Sequence, residues 1–283
     1  MDRSVFDTDP RTLLFAGPDF RLADADPQST PGFQHGKKKG KAALEKGTKA
    51  LSHAQEQLFA ESRQGGGSSV LLILQAMDTA GKGGIVRHVI GAVDPQGVHH
   101  HAFKAPTAAE RRHDFLWRIQ KQLPGPGMIG VFDRSHYEDV LVHKVRGLSS
   151  AEEVERRYGA ITEFEEGLAA AGTRVLKVML HISKEEQKLR LAERLDRPDK
   201  YWKYNPGDVD ERAHWEDYQE AYATAIARTS TPEAPWYVVP ADAKWYARLA
   251  VQQLLASALA DLELSWPEAH FDVKAEKQRL AAS

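Results

Sequence analysis

Residues 70–75, VLLILQ, form an unbroken apolar run that ends in the glycine-rich stretch AMDTAGKGG at 76–84. A strand without polar alternation has to be buried on both faces, the situation of a parallel sheet covered by helices on either side. The same kind of run recurs as MIGVF (128–132), RVLKVMLHI (174–182) and WYVV (236–239), with VHHHAF (98–103) as a further strand. Between the runs lie helix-start signatures of the capping-box type. Thr107-Ala-Ala-Glu110 predicts a helix through Leu123, Ser150-Ala-Glu-Glu153 one to about Ala171, and Ser183-Lys-Glu-Glu186 one through Leu195. Strand and helix alternating in this way predict an α/β fold with a parallel sheet of about five strands between helices.

The flanks read differently. Pro10, Pro18, Pro27 and Pro31 predict a loose N-terminal arm that drapes on the domain, with room for a short turn or strand, and residues 35–64 carry helical apolar spacing before the Gly65–Ser69 hinge. The expected division is therefore an arm and amphipathic helix over 1–69, a main domain over 70–262 and a charged tail over 263–283. A composition of 42% hydrophobic and 28% charged residues excludes a mostly disordered or fibrous chain. The formal net charge of -2 argues against nucleic acid or an anionic membrane as partner, so any polyanion site has to be local. With no cysteine there is no disulfide, thiolate zinc site or cysteine nucleophile. The start lacks a basic-then-apolar leader and no 18-residue apolar run occurs, which makes a cytoplasmic protein the expectation.

The chemistry concentrates at three places. Gly81, Gly83 and Gly84 stand where a buried strand turns into a helix, so backbone N–H groups can approach a phosphate while Lys82 adds a full charge. Against the common phosphate-loop pattern, Ala76 replaces the first glycine and Gly83 the metal-binding Ser/Thr. Asp78 and Asp133 are then the candidate ligands for one or two magnesium ions, with manganese as the alternative. Tight packing alone is the plain reading of such a turn. Asp133 and Arg134 end the MIGVF strand at the edge where open parallel sheets bind ligands, and Arg134 can neutralise a transferring phosphoryl group; otherwise the two are a surface ion pair. In RLDRPDKYWKYNPGD, Arg194, Arg197, Lys200 and Lys203 recur every three residues, but Pro198 interrupts the helix, which suggests a mobile lid over about 194–209, or else a solvated charge run. Lys104 adds a cation to the same edge. Of His99, His100 and His101 only the first and last share a strand face, and no carboxylate stands at ligand spacing, so they are not read as a metal site. HGKKKGK (35–41) reads as a solvated helix start or an extension of a polyanion track.

Taken together, QAMDTAGKGG, FKAPT, FDRSHYEDVL, RPDKYWKYNPGD and TPEAPWYVV, in this order over about residues 35–262, resemble family-2 polyphosphate kinases. The resemblance implies a P-loop fold of the thymidylate-kinase kind and magnesium-dependent phosphoryl transfer between inorganic polyphosphate and a nucleotide. Carried over by position, Asp78, Lys82, Asp133 and Arg134 would be catalytic, with Asp78 and Asp133 holding metal. Ala80, Gly81, Gly83, Gly84, Lys104, Arg194, Arg197, Lys200 and Lys203 would bind phosphate. The HYEDVL continuation is similar to the branch that accepts AMP as well as ADP, although this chain has Asp133 where that branch often has Asn. A homo-oligomer is the expectation by resemblance. The rival readings are an ATP-dependent nucleoside monophosphate kinase and a non-catalytic polyphosphate-binding module.

Overall fold

In the computed structural model, which describes residues 5–283, the apolar run at Val70 becomes a central strand buried at every position. The strands in chain order are β1 (Phe15–Ala16), β2 (Ser69–Ala76), β3 (Val98–Ala102), β4 (Ile129–Asp133), β5 (Thr173–His181) and β6 (Trp236–Pro240). They form one sheet in the order β1-β6-β5-β2-β4-β3, parallel throughout except for β1, which pairs antiparallel with β6. Five parallel strands thus match the expected number, and the sixth is the addition. Its two residues, Phe15 and Ala16, come from the proline-rich arm, where a short turn or strand is one of the expectations.

The helices are α1 (Pro10–Leu14), α2 (Lys37–Ser62), α3 (Lys82–His88), α4 (Trp117–Gln120), α5 (Val142–Val145), α6 (Ala151–Ala170), α7 (Lys184–Asp196), α8 (Gly207–Glu211), α9 (Trp215–Thr229), α10 (Lys244–Ala260) and α11 (Val273–Ala281). Helix α10 packs on β2, β5 and β6 and is itself covered by α2 and α3, while α6 packs on β5 and against α5 and α9. The sheet therefore buries both faces, as its uninterrupted apolar strands require. The arm lies on the domain, with Phe6, Leu14, Ala16, Leu22 and Phe33 in the same core as the strands.

The three capping-box expectations meet different fates. The Ser150 and Ser183 hydroxyls accept from the Glu153 and Glu186 amides at 3.2 and 3.0 Å, and α6 and α7 follow as expected. The box at Thr107 also closes, with the Thr107 amide donating to Glu110 at 2.7 Å and the Glu110 amide to Thr107 at 3.2 Å. Yet only a 3-10 turn follows it, because His113 is extended and Asp114 accepts from the Leu116 amide, starting a second turn instead. No described helix is long and apolar enough to cross a membrane.

Candidate active site

Parallel pairing brings the carboxyl ends of β2 and β4 side by side, with Leu74 opposite Asp133, and Asp133 also opposite Ala102 of β3. The loop leaving β2 turns through Thr79 at φ 66° and Gly81 at φ 122° before α3 begins at Lys82. A left-handed β-branched residue is strained, and such strain persists only where the surroundings hold it. Here they do. Arg190 of α7, a buried side chain, donates to the Thr79 and Ala80 carbonyls at 3.0 and 2.9 Å and to the Ala241 and Asp242 carbonyls at 2.7 and 2.9 Å. Gln187, one turn earlier, donates to the Asp78 carbonyl at 3.0 Å and is itself held by Arg212 at 2.7 Å. The loop is thus fastened by its carbonyls from below, while the Ala80 and Gly84 amides donate to the Met77 and Gly81 carbonyls at 3.3 and 2.8 Å.

Lys82 Nζ donates to the Ala76 carbonyl at 3.3 Å and lies 4.0 Å from Asp133. Arg134, at the end of β4, also has a left-handed backbone, φ 63°, and its guanidinium reaches back 3.2 Å to Asp78. Asp78, Lys82, Asp133 and Arg134 therefore meet as two crossed acid–base pairs between adjacent strand ends. Burial, the largest influence on Arg134, opposes its charge, but Glu138, Asp78 and Asp133 together hold its pKa above the ordinary guanidinium value. Burial raises the Glu138 pKa, opposed by Arg134 and Lys82. In the amide orientation that satisfies both ends, Gln75 donates to Glu138 at 3.0 Å and accepts from Ser135 Oγ at 3.1 Å.

Behind this turn sits a polar network with no exposure. Lys177 of β5 donates to Glu165 at 2.5 Å, to Tyr137 Oη at 2.9 Å and to the Thr229 carbonyl at 2.6 Å, and Tyr137 donates to Glu165 at 3.0 Å. The Glu165 carboxylate also faces His136 Nε2 at 3.1 Å. Burial lowers the Lys177 pKa against the pull of Glu165, while Lys177 and His136 hold Glu165 below its usual value despite its own burial. A buried charge persists only when paired in this manner, and the pairing anchors the turn that carries Arg134.

Two cavities open on the site and share Asp78 and Arg134. The larger, about 590 Å³, runs along the glycine loop and is lined by Ala80, Gly81, Lys82, Gly83, Gly84, Lys104, Asp133, Arg194, Lys200 and Lys203. The smaller, about 250 Å³, is lined by Met77, Leu141, Val142, Tyr218 and Tyr222 together with Glu138, Asn205, Asp208 and Glu211. In the segment expected to be a lid, a 3-10 turn over Pro198–Lys203 leads to α8, and Arg194 donates to the Lys203 carbonyl at 2.8 Å and to Asp208 at 3.2 Å. The segment spans both cavities. Arg197 is the one sequence candidate that stays outside them, paired on the surface with Asp199 at 2.8 Å and Glu193 at 3.2 Å. Sequence reasoning missed Arg190, Arg87, Lys244 and Arg248; the spacing of four between Glu186 and Arg190 is that of an ordinary helix ion pair and did not mark Arg190 out.

A sequence model of the polyphosphate kinase 2 family matches residues 34–265. The AMP/ADP-polyphosphate phosphotransferase of Meiothermus ruber is 45% identical over 249 residues, covering 88% of this chain and 92% of that protein. The ADP-polyphosphate phosphotransferase of Rhodopseudomonas palustris is 44% identical, covering 77% of this chain and 78% of its own. Among solved structures, polyphosphate kinase 2 from Arthrobacter aurescens TC1 is 58% identical and superposes with a TM-score of 0.97 over 98% of each chain.

Proposed function

The chain belongs to the polyphosphate kinase 2 family, and from that premise we propose that it transfers a phosphoryl group between inorganic polyphosphate and a nucleotide, converting ADP to ATP and AMP to ADP, reversibly. The observation that carries this reading is the pair of cavities meeting at Asp78 and Arg134, one lined by cations and the other by aromatic, apolar and acceptor side chains. A polyanionic donor suits the first, since each internal phosphate brings a charge that one loop lysine cannot neutralise alone. A nucleoside suits the second, where Tyr218 and Tyr222 offer stacking surface and the carboxylates accept from hydroxyl or amino groups.

In the transfer, an oxygen of the nucleotide's terminal phosphate attacks the terminal phosphorus of the polyphosphate chain. The P–O–P bond behind that phosphorus breaks, and the electron pair leaves on a chain one phosphate shorter. Because the attacking oxygen is already anionic, no general base is required; positioning and charge neutralisation do the work. Arg134 sits at the junction and can bridge both reactants, Asp78 aims it, and Lys82 with the loop amides holds the donor end. Lys104, Arg194, Lys200 and Lys203 hold the rest of the donor, and Arg197 braces the lid from outside.

Asp78 and Asp133 are hard oxygen donors at the mouth of the groove, and no group of three acids or histidines converges among the described residues. That donor set fits magnesium, or manganese, which takes remaining ligands from phosphate oxygens and water. The ion would screen charge on the transferring group. The Gly81–Lys82 loop is read as a P-loop of the thymidylate-kinase kind, residues 70–262 as the catalytic unit with 1–69 and 263–283 as appendages, and the assembly as a cytoplasmic homo-oligomer.

The test is nucleotide analysis with purified protein, magnesium and long-chain polyphosphate, with AMP and ADP as separate acceptors and ATP plus AMP as control. ATP formed from ADP and ADP formed from AMP are the expected products. Activity with ATP as the sole phosphoryl donor would instead identify a nucleoside monophosphate kinase, and binding without turnover a non-catalytic module.

A further inference from the structure

Every N–H of the buried Arg190 guanidinium has an acceptor. Nε donates to Glu186 at 2.8 Å, Nη1 to the Thr79 and Ala80 carbonyls, and Nη2 to the Ala241 and Asp242 carbonyls, which uses all five donors of the group. The two pairs of carbonyls leave different strands. Thr79 and Ala80 follow β2, Ala241 and Asp242 follow β6, and β5 lies between those strands in the sheet. One side chain therefore registers two strand ends that never pair with each other. Among the described residues neither the Thr79 nor the Ala80 carbonyl accepts from a backbone amide, so this arginine is what satisfies them.

Thr79 is the strained residue of the loop. Its φ is 66°, and its buried hydroxyl has no hydrogen-bond partner among the described residues, so the side chain does not compensate for the backbone. What holds it is the pull on its carbonyl. Asp78, which pairs with Arg134, precedes it, and Ala80 and Gly81 of the glycine loop follow, a Cβ on Gly81 falling 3.9 Å from Arg190 Nη1. Arg190 itself lines neither cavity. We infer that Arg190 is a positioning residue for the transfer: without touching either reactant, it keeps Thr79 left-handed and so fixes Asp78 and the glycine loop at the spacing that donor and acceptor require. This rests on the phosphoryl-transfer reading above. A planar fork meets the demand, whereas lysine, with three donors at one point, cannot reach both pairs of carbonyls.

The test measures kcat and the KM for ADP, with long-chain polyphosphate as donor, for Arg190→Gln and Arg190→Lys, each made in the parent chain and in the Thr79→Gly background and assayed well below its melting temperature. In the parent chain Arg190→Gln should lower kcat roughly 100-fold, the effect of a misplaced reacting group, with the KM for ADP within about threefold. Arg190→Lys should lower kcat about tenfold. Glycine adopts a positive φ without strain, so in the Thr79→Gly background the penalty for losing the arginine should shrink about tenfold. An arginine that only braces the fold would lower the melting temperature, yet leave kcat of the folded variant within about threefold and give the same penalty in both backgrounds; either of these kinetic results overturns the proposal. So does a KM for ADP that rises as far as kcat falls, which would make Arg190 a binding residue. Should Arg190→Gln not fold, the lysine variant in the two backgrounds decides by the same measures. Failure of the unaltered enzyme to use any polyphosphate would overturn the reading beneath, and the role of Arg190 is then measured separately with ATP plus AMP by the same loss in kcat.

Discussion

Arg134 concentrates several constraints in one residue. Its backbone is left-handed at φ 63°, its amide donates to the Leu74 carbonyl at 3.0 Å, and its side chain pairs with Asp78 across the gap between two strands. A residue in this conformation aims its side chain where an extended one could not, so the strain is stored where charge has to be placed accurately. Replacing Arg134 by Ala or Lys82 by Met should lower kcat by roughly 100- to 1000-fold if each stabilises charge that grows in the transition state. Arg134→Lys should recover only part, because a point charge cannot bridge two phosphates as a planar fork does. Steady-state kinetics with a thermal-unfolding control checks this; a loss below threefold in a folded variant removes that residue from the mechanism. The candidates that sequence could supply at this scale were those sitting in glycine turns and at strand ends, where Asp78, Lys82, Asp133 and Arg134 fall. Arg190 escaped because it looks like any helix arginine until its carbonyl partners, more than 100 positions back at Thr79 and Ala80, come into view.

At the level of elements, the Lys177–Glu165 pair ties β5 to α6, and through Tyr137 and Thr229 to α9 and the turn after β4. Lys177→Met leaves a buried carboxylate without its main partner and should destabilise the protein by about 3–5 kcal/mol. Combining it with Glu165→Leu should restore much of that, since no lone charge remains. Denaturant melts of both variants decide, and a single variant as stable as the parent would show the pair to be dispensable. Apolar runs and capping boxes made most of these elements readable, because burial and helix starts are local properties of the chain. Where a second local preference competes, as at Asp114 after the Thr107 box, the pattern overstates the helix. A lysine inside the run RVLKVMLHI could only be read as an interruption; its partners come from helices on either side of it in sequence.

The molecule as a whole closes around its first described residues. Phe6, Leu14, Leu22 and Phe33 are buried, and the carbonyls of Ala25, Pro27 and Pro31 accept from His181, the Asp242 amide and Tyr246. Burying each such apolar side chain contributes about 1.5–3 kcal/mol, so the four together rival the stability of a typical domain. Deleting residues 1–33 should give a chain that unfolds at least 10 °C lower, by a rough conversion, or that associates through the uncovered edge of β6. Calorimetry and size-exclusion chromatography read both effects, and an unchanged melting temperature would refute it. The prolines marked this segment only as an arm draped on the domain with room for a short strand, and its anchoring side chains were not legible because they are scattered and follow no period. β1 pairs with β6, Phe15 against Tyr237, so this two-residue strand finds its partner only after roughly 220 further residues have been made. Until β6 has been made, the segment around β1 and the apolar groups it carries lack the surface they cover, and the sheet receives an edge strand synthesised long before its partner.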